Sequence, residues 1–217
     1  MRYDRGHRDR TRQHIVDSAS KQFRAGGLSA TGIATVMSEA GLTNGAFYPH
    51  FSSKDDLIEK TLAAALEEQN DRQKQFLEAE ESFETVVRSY LRWAHRECFG
   101  TGCPSAALLP EIARQSVVTR RTYQIGLSAI IKTLAQHFPN ESEELAKRKA
   151  MSIFALLVGT LQIARAVPDR QFAESILQQG AEAALCLAKT PTGPSKKPPE
   201  RNPFRHELDG AQSRIRR

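Results

Sequence analysis

A chain of 217 residues, 40% of them hydrophobic, is long enough for one large or two small domains and too apolar to be disordered. Its formal charge of +6 and sequence pI near 9.4 point to an anionic partner, nucleic acid first among them. The apolar runs are short and broken, the first ten residues lack the apolar core of a signal peptide, and three cysteines make no disulfide framework, so a cytoplasmic protein with no membrane partner is expected.

The charge is unevenly placed. Arg2, Arg5, Arg8, Arg10 and Arg12 crowd the start, and residues 1–10 read as a basic arm. Over residues 11–25, Ile15, Ala19 and Phe23 recur at helical spacing, and Gly26-Gly27 stops that helix. Thr31 is expected to cap a short second helix carrying Ile33, Ala34, Met37 and Ala40, which Gly41 ends. A third helix starts at Thr43 or Asn44 and carries Ala46, Phe47 and Phe51. Ser53-Lys-Asp-Asp56 reads as a capping box before a longer helix with Leu57, Ile58, Leu62 and Leu66.

The remainder is also helical. A helix from Ser82 through Val86, Tyr90 and Trp93 should end near Gly100-Thr-Gly102. Pro104 opens the next stretch, with Pro110 early within it, and a further helix begins near Thr119 and ends at Pro139. Residues 150–167 are apolar on nearly every side and must be covered all round, either within the subunit or by a second copy. Residues 172–187 form a last amphipathic helix, and 190–217, rich in Pro, Lys and Arg, are expected to be a disordered tail. The division expected is therefore an arm at 1–10, a DNA-binding unit at 11–53, a regulatory and dimerisation unit at 54–189, and the tail. The fold class is all-α.

The chemistry concentrates between Thr31 and Lys54. Two short helices joined by a tight Gly turn have the form of a helix-turn-helix, whose second helix presents its first residues to base edges in the major groove. Those residues are Thr43, Asn44, Gly45 and Ala46. Small side chains allow close approach, Thr43 and Ala46 suit thymine methyls, and Asn44 suits bidentate pairing with adenine. Tyr48, His50 and Lys54 are donors suited to phosphate oxygens. Phe47 and Phe51 should face inward. By geometry and composition alone, an ordinary helical hairpin remains the alternative.

The run Ala40-Gly-Leu-Thr-Asn-Gly-Ala-Phe-Tyr-Pro-His-Phe-Ser-Ser-Lys-Asp-Asp-Leu57 resembles the signature of the TetR family of one-component bacterial regulators, and Thr11-Arg-Gln-His-Ile with Phe23-Arg-Ala-Gly-Gly27 resembles that family's first helix. The opening Met-Arg-Tyr, Gly6-His7 and the Thr-Gly-Cys-Pro104 corner resemble a recurrent subgroup. The resemblance implies a three-helix DNA-binding domain followed by a larger helical domain that dimerises and holds an inducer pocket. It implies a phosphate contact for Thr31, base-facing or close-approach roles for Thr43, Asn44, Gly45 and Ala46, and phosphate contacts for Tyr48, His50 and Lys54. It further implies a palindromic double-stranded operator, a homodimer through the last two long helices, repression relieved by a small-molecule inducer, and no cofactor. Pro49 departs from the pattern: it removes a helical hydrogen bond, so the recognition helix should bend or end a residue early.

Trp93, Phe99, Tyr123, Met151 and Phe154, with Phe76, are large side chains in helices that would surround an inducer cavity, although such residues are more often plain core. Cys103 follows Gly102 in a break between helices that would expose it, and Arg96 could activate it, so Cys103 or Cys98 is a candidate thiol sensor. His95, Cys98 and Cys103 give only three ligands at irregular spacing, a poor metal site. A cysteine hydrolase on His95 and Cys98 lacks a visible oxyanion loop or orienting residue, so no enzyme is expected.

Overall fold

The computed structural model describes residues 5–190, and among these every regular element is helical. The helices are α1 (Arg5–Gly26), α2 (Ile33–Glu39), α3 (Lys54–Glu78), α4 (Phe83–Tyr90), α5 (Trp93–Glu97), α6 (Pro104–Ile112), α7 (Val117–Ala135), α8 (Glu143–Ala166) and α9 (Arg170–Lys189), with a single 3₁₀ turn at Asn44–Ala46. The expected tail from 191 and the first four arm residues lie outside the described range. Within it, residues 5–10 belong to α1 and are not a separate arm.

Side-chain caps begin five of the helices. Ser53, Ser82, Ser116, Ser142 and Asp169 each accept the backbone N–H three residues on, satisfying a donor that the first turn leaves unpaired. The expected capping box before α3 is half formed: Ser53 accepts from Asp56 N–H, but the Asp56 carboxylate accepts from Ser52 N–H and hydroxyl. The single helix expected from Ser82 is two. It breaks at Leu91–Arg92, and α5 restarts almost at once. Pro110 lies near the end of α6, where its ring is accommodated without ending the helix.

No break separates the two expected units at 53/54. Leu57, Ile58 and Leu62 of α3 close the core formed by Ile15, Ala19 and Phe23 of α1, while Leu66, Gln69 and Asn70 further along α3 are buried beside α7. The helices approach closely where a side chain is missing. A Cβ on Gly126 of α7 would stand 2.7 Å from Leu66 of α3, and one on Gly180 of α9 would stand 2.3 Å from Thr160 of α8. Bringing backbones this near lets the flanking side chains reach native packing density.

One expectation about apolar runs needs correction. The 24-residue α8 contains an 18-residue window of mean hydropathy 1.3, apolar enough by length and composition to cross a membrane. Half of that window is buried inside the bundle, against α7 and α9. Lys149 is buried in it too, its ammonium held by Glu141 and the Ala188 carbonyl. These are the features of a bundle's central helix.

Candidate nucleic-acid interface and regulatory cavities

The N-terminal site is built on a turn that only glycine adopts easily. Gly41 has φ +65°, and the chain leaves α2 with Leu42 N–H bonding to Met37 O at 2.8 Å and Gly41 N–H to Ser38 O at 3.0 Å. His14 of α1 meets the Ala40 carbonyl at 3.1 Å and Ser18 donates to Val36 O at 3.3 Å, so α1 fixes where α2 ends.

After the turn, the expected third helix is shorter than the motif suggests. Thr43 is extended, Asn44–Ala46 forms one 3₁₀ turn, and non-helical turns follow to His50. Pro49 has no N–H to continue a ladder, and its neighbours His50 and Phe51 both bond back to the Phe47 carbonyl, at 2.9 and 3.1 Å. The segment is held by other means. Phe47 and Phe51 are fully buried with stacked rings 5.5 Å apart. From α1, Arg8 donates to the Pro49 carbonyl at 2.6 Å, and the Arg12 guanidinium lies 5.0 Å over the Phe51 ring. The basic start of the chain thus braces the reading segment. Its Arg8/Arg12 spacing of four, one face of a helix, was the signal for this.

The expected DNA-facing residues fall into three groups. Thr43, Asn44, Gly45 and Tyr48 are exposed, Tyr48 at 71%, and Ala46 is half-buried behind them. His50 and Lys54 are half-buried at the rim. Burial, and then the Arg8 and Arg12 charges, hold the His50 pKa below its usual value, while Lys54 donates to Ser29 O at 3.4 Å. Thr31 is a correction. Gly32, not Thr31, stands at the N-cap of α2; Thr31 is 6% exposed, and its hydroxyl donates to Gln22 O at 3.3 Å. Its side chain faces the core, because the chain turns between Gly27 (φ +87°) and α2 in a way that points it back at α1.

The regulatory half has a different architecture, organised around the corner between α5 and α6. His95 is the staple. Its Nδ1 meets the Tyr90 carbonyl at 2.6 Å, and its Nε2 accepts the Cys103 N–H at 3.0 Å; burial keeps its pKa below the usual value. Arg165 of α8 donates to the carbonyls of His95, Arg96 and Cys98, and Arg24 of α1 donates to Gly102 O at 3.0 Å. Gly102 is required there: a Cβ would stand 2.6 Å from Cys98 O and 2.8 Å from the Arg165 guanidinium.

This corner revises the cysteine expectations. Cys103 is buried at 3%, its thiol donating to Gln69 Oε1 at 3.4 Å, whereas Cys98 is exposed. Arg96 is engaged by the carbonyls of Ala164 and Val167 and by Glu97; the guanidinium groups in electrostatic contact with Cys103 are those of Arg24 and Arg165. His95, with both ring nitrogens on the backbone, is not placed to serve Cys98 as a base. Among the described residues no three His, Cys, Asp or Glu side chains converge as metal ligands.

Two cavities flank the corner and the bundle. One, of about 420 Å³, lies under the corner between α3 and α4, with Phe76, Tyr90 and Cys103 in its wall. The other, an apolar groove of about 500 Å³, runs between α7 and α8. Of the five expected inducer contacts, Tyr123, Met151 and Phe154 share this groove. Trp93 and Phe99 do not join them. The Trp93 ring lies between the guanidiniums of Arg96 and Arg170, at 4.5 and 4.9 Å, and Phe99 is 45% exposed beneath Arg165. Helical spacing placed these aromatics on the right helices, but the break at Leu91–Arg92 rotates α5 away.

The chain thus pairs an N-terminal helix-turn-helix, braced by α1, with a larger helical bundle behind it. Residues 15–61 match the family described as bacterial regulatory proteins, tetR family, a stretch that runs past 53 into α3 as the packing does. The regulator AcrR of Shigella flexneri is 46% identical over 48 residues, which span 22% of this chain and 22% of AcrR. TtgR of Pseudomonas putida is 25% identical over 176 residues, 81% of this chain and 74% of TtgR. Among solved structures, E. coli NemR in its reduced form superposes with a TM-score of 0.69 at 19% identity, covering 84% of this chain and 99% of NemR. A TetR-family regulator from Cytophaga hutchinsonii gives 0.68 at 19% identity, covering 83% and 96%. Over residues 15–61 the chain carries the domain described for the tetR family of bacterial regulatory proteins.

Proposed function

We propose that the protein is a homodimeric transcription regulator that reads a palindromic operator through Thr43, Asn44, Gly45 and Ala46 and leaves it when a small molecule binds the helical bundle. The observation that carries this is that Thr43, Asn44 and Gly45 are exposed, with no hydrogen bond from the Thr43 or Asn44 side chain, yet the segment is fixed from behind by Phe47, Phe51, Arg8 and Arg12. A rigid backing with free polar tips is what base reading needs. Tyr48, His50 and Lys54 flank it as phosphate donors, while Thr31 acts through the fold. Fluorescence anisotropy on a palindromic fragment from beside the gene tests this: binding should weaken steeply with salt, and salt-independent or absent binding would sink it.

The dimer would form through α8 and α9. Met151, Ala155, Gly159 and Ile163 run along the exposed face of α8, and Phe172, Ile176, Ala183 and Leu187 along that of α9. The first stripe repeats every four residues and the second at intervals of four and seven, the helical pattern of a self-complementary four-helix contact. It would hold two readers ~34–36 Å apart, one turn of DNA. A monomer by analytical ultracentrifugation at micromolar concentration excludes it. Such a protein works in the cytoplasm, where the DNA is.

A second reading, response through a thiol, is favoured by one observation: the Cys103 side chain lines the corner cavity beside two guanidinium groups. A Cys103→Ala protein that keeps its full response to oxidants on DNA dismisses it.

A further inference from the structure

We propose that the cavity beneath the Gly102 corner, not the α7–α8 groove, is the effector site, and that it takes a small carboxylate with a flat apolar body. The proposal rests on the regulator reading and names the site and the ligand class that reading leaves open. At about 420 Å³ the cavity is of a size that encloses small ligands. Its wall combines the rings of Phe76 and Tyr90 with Arg72, Arg92, Gln69 and Gln73.

One buried donor in the wall, and one behind it, are unpaired. The Tyr90 hydroxyl, 8% exposed as a residue, stands beside the Cys103 thiol without a hydrogen bond of acceptable geometry, and Arg165 Nη1, outside the wall itself, is unpaired too. Arg165 is in electrostatic contact with Tyr90 and Cys103. Buried donors left unpaired cost stability, and an acceptor from outside the chain relieves that cost. The charge around them is positive. The wall has one carboxylate, Glu68, and it is already taken by Arg72 at 2.6 Å, with Arg24 at 3.8 Å. Arg92, exposed at the wall, has no acceptor. A carboxylate answers these groups, since guanidinium and hydroxyl donors bind it with charge-assisted hydrogen bonds. Gln73 Oε1, a buried acceptor without a donor, accommodates a hydroxyl elsewhere on the ligand.

The α7–α8 groove is the more apolar of the two: Lys147 is its one cation, beside Tyr123, Ser128 and Gln162, none of its side chains holds a buried polar atom without a partner, and Met151, Ala155 and Gly159 in its α8 wall belong to the proposed dimer face. The corner is also connected to the reader. Gly102 O is held by Arg24 of α1, and α6, which starts at the corner, accepts the Ser29 N–H on its Glu111 carboxylate at 2.8 Å. An occupant that displaces the corner is therefore felt in the last turn of α1 and within the α1–α2 loop.

Calorimetry on the full chain tests this, with benzoate, 2-naphthoate and 6-hydroxy-2-naphthoate as probes and 2-naphthamide as the uncharged isostere. We expect one site per chain, at least tenfold weaker binding of the amide, and at least fivefold weaker naphthoate binding in Tyr90→Phe and Arg92→Gln. Tyr90→Phe removes only an unpaired hydroxyl, so its thermal midpoint should match the parent and a lost ligand is not a lost fold. No heat from any of the three carboxylates, equal binding of acid and amide, or a loss in Met151→Ala with none in Tyr90→Phe overturns the proposal. Anisotropy on operator DNA, run on the same samples, separates the two readings. Naphthoate binding without loss of DNA affinity leaves the site standing and refutes release, and absence of DNA binding refutes the regulator while calorimetry still decides the site.

Discussion

The cations of the reading half and those of the regulatory half do opposite work. Around the helix-turn-helix they lie at the surface: Arg8 and Arg12 brace the reading segment from outside, and Arg10 is exposed. In the bundle, and where α1 meets it, they are turned inward. Arg24, Arg96, Arg165 and Lys149 all end on backbone carbonyls at helix ends or breaks, where the last residues of a helix leave acceptors unpaired. A net charge of +6 thus overstates the DNA-facing field. Part of it is structural, and position decides which part.

The largest expected contrast follows from that difference. Arg165→Gln removes a cation from three carbonyls at once and should cost about 2–4 kcal/mol of unfolding free energy. Arg10→Gln, on the exposed side of α1, should change stability by less than about 0.5 kcal/mol yet weaken DNA binding. Urea midpoints for the two proteins decide this, and similar midpoints would erase the distinction between the halves. Within the same corner, Gly102→Ala drives a methyl into the Cys98 carbonyl and should cost about 1–3 kcal/mol, read by the same titration.

Asn44→Ala probes the opposite half. Its side chain is exposed and supports nothing, so stability should hold within about 0.5 kcal/mol. Loss of a bidentate adenine contact should cost about 1–3 kcal/mol of operator affinity. Anisotropy on the operator and on a fragment with the central adenines replaced checks it. An Asn44→Ala protein that binds both fragments like the parent removes Asn44 from base reading.

The same contrast sets what the sequence could tell. The reading half was legible because its determinants are local. Gly41, the Phe47/Phe51 pair and Ser53 act on neighbours a few residues away, and Pro49 announced its own effect. Thr31 was misread because its partner, the Gln22 carbonyl, depends on the path of the loop at Gly27. In the bundle the helices were legible from periodicity, but their ends were not. The corner depends on Arg24 reaching Gly102 and Arg165 reaching Cys98, across 78 and 67 residues, and no periodicity encodes such pairings. Trp93 and Phe99 were assigned to a pocket for the same reason: the break that turns them away is set by His95 and its carbonyl partner.

The smallest expected effect, and the sharpest in sign, is the response to pH. His50, His95 and His137 all have pKa values held below 6.5, in each case by burial first. Between those folded values and 6.5 the unfolded chain binds protons that the folded chain refuses. Their contribution to stability is therefore complete above about pH 6.5 and is lost as pH falls through the folded values. Thermal midpoints should drop from pH 7.5 to 5.5, and His95→Gln should flatten that slope by removing the most buried of the three. His50 should respond oppositely in DNA binding. Phosphate beside it offsets the Arg8 and Arg12 charges that now disfavour its proton, so operator binding takes up a proton and tightens as pH falls. His50→Gln should abolish that tightening and leave most of the stability slope in place. Affinity that weakens with acid in step with stability would place His50 among the structural histidines and away from the phosphates.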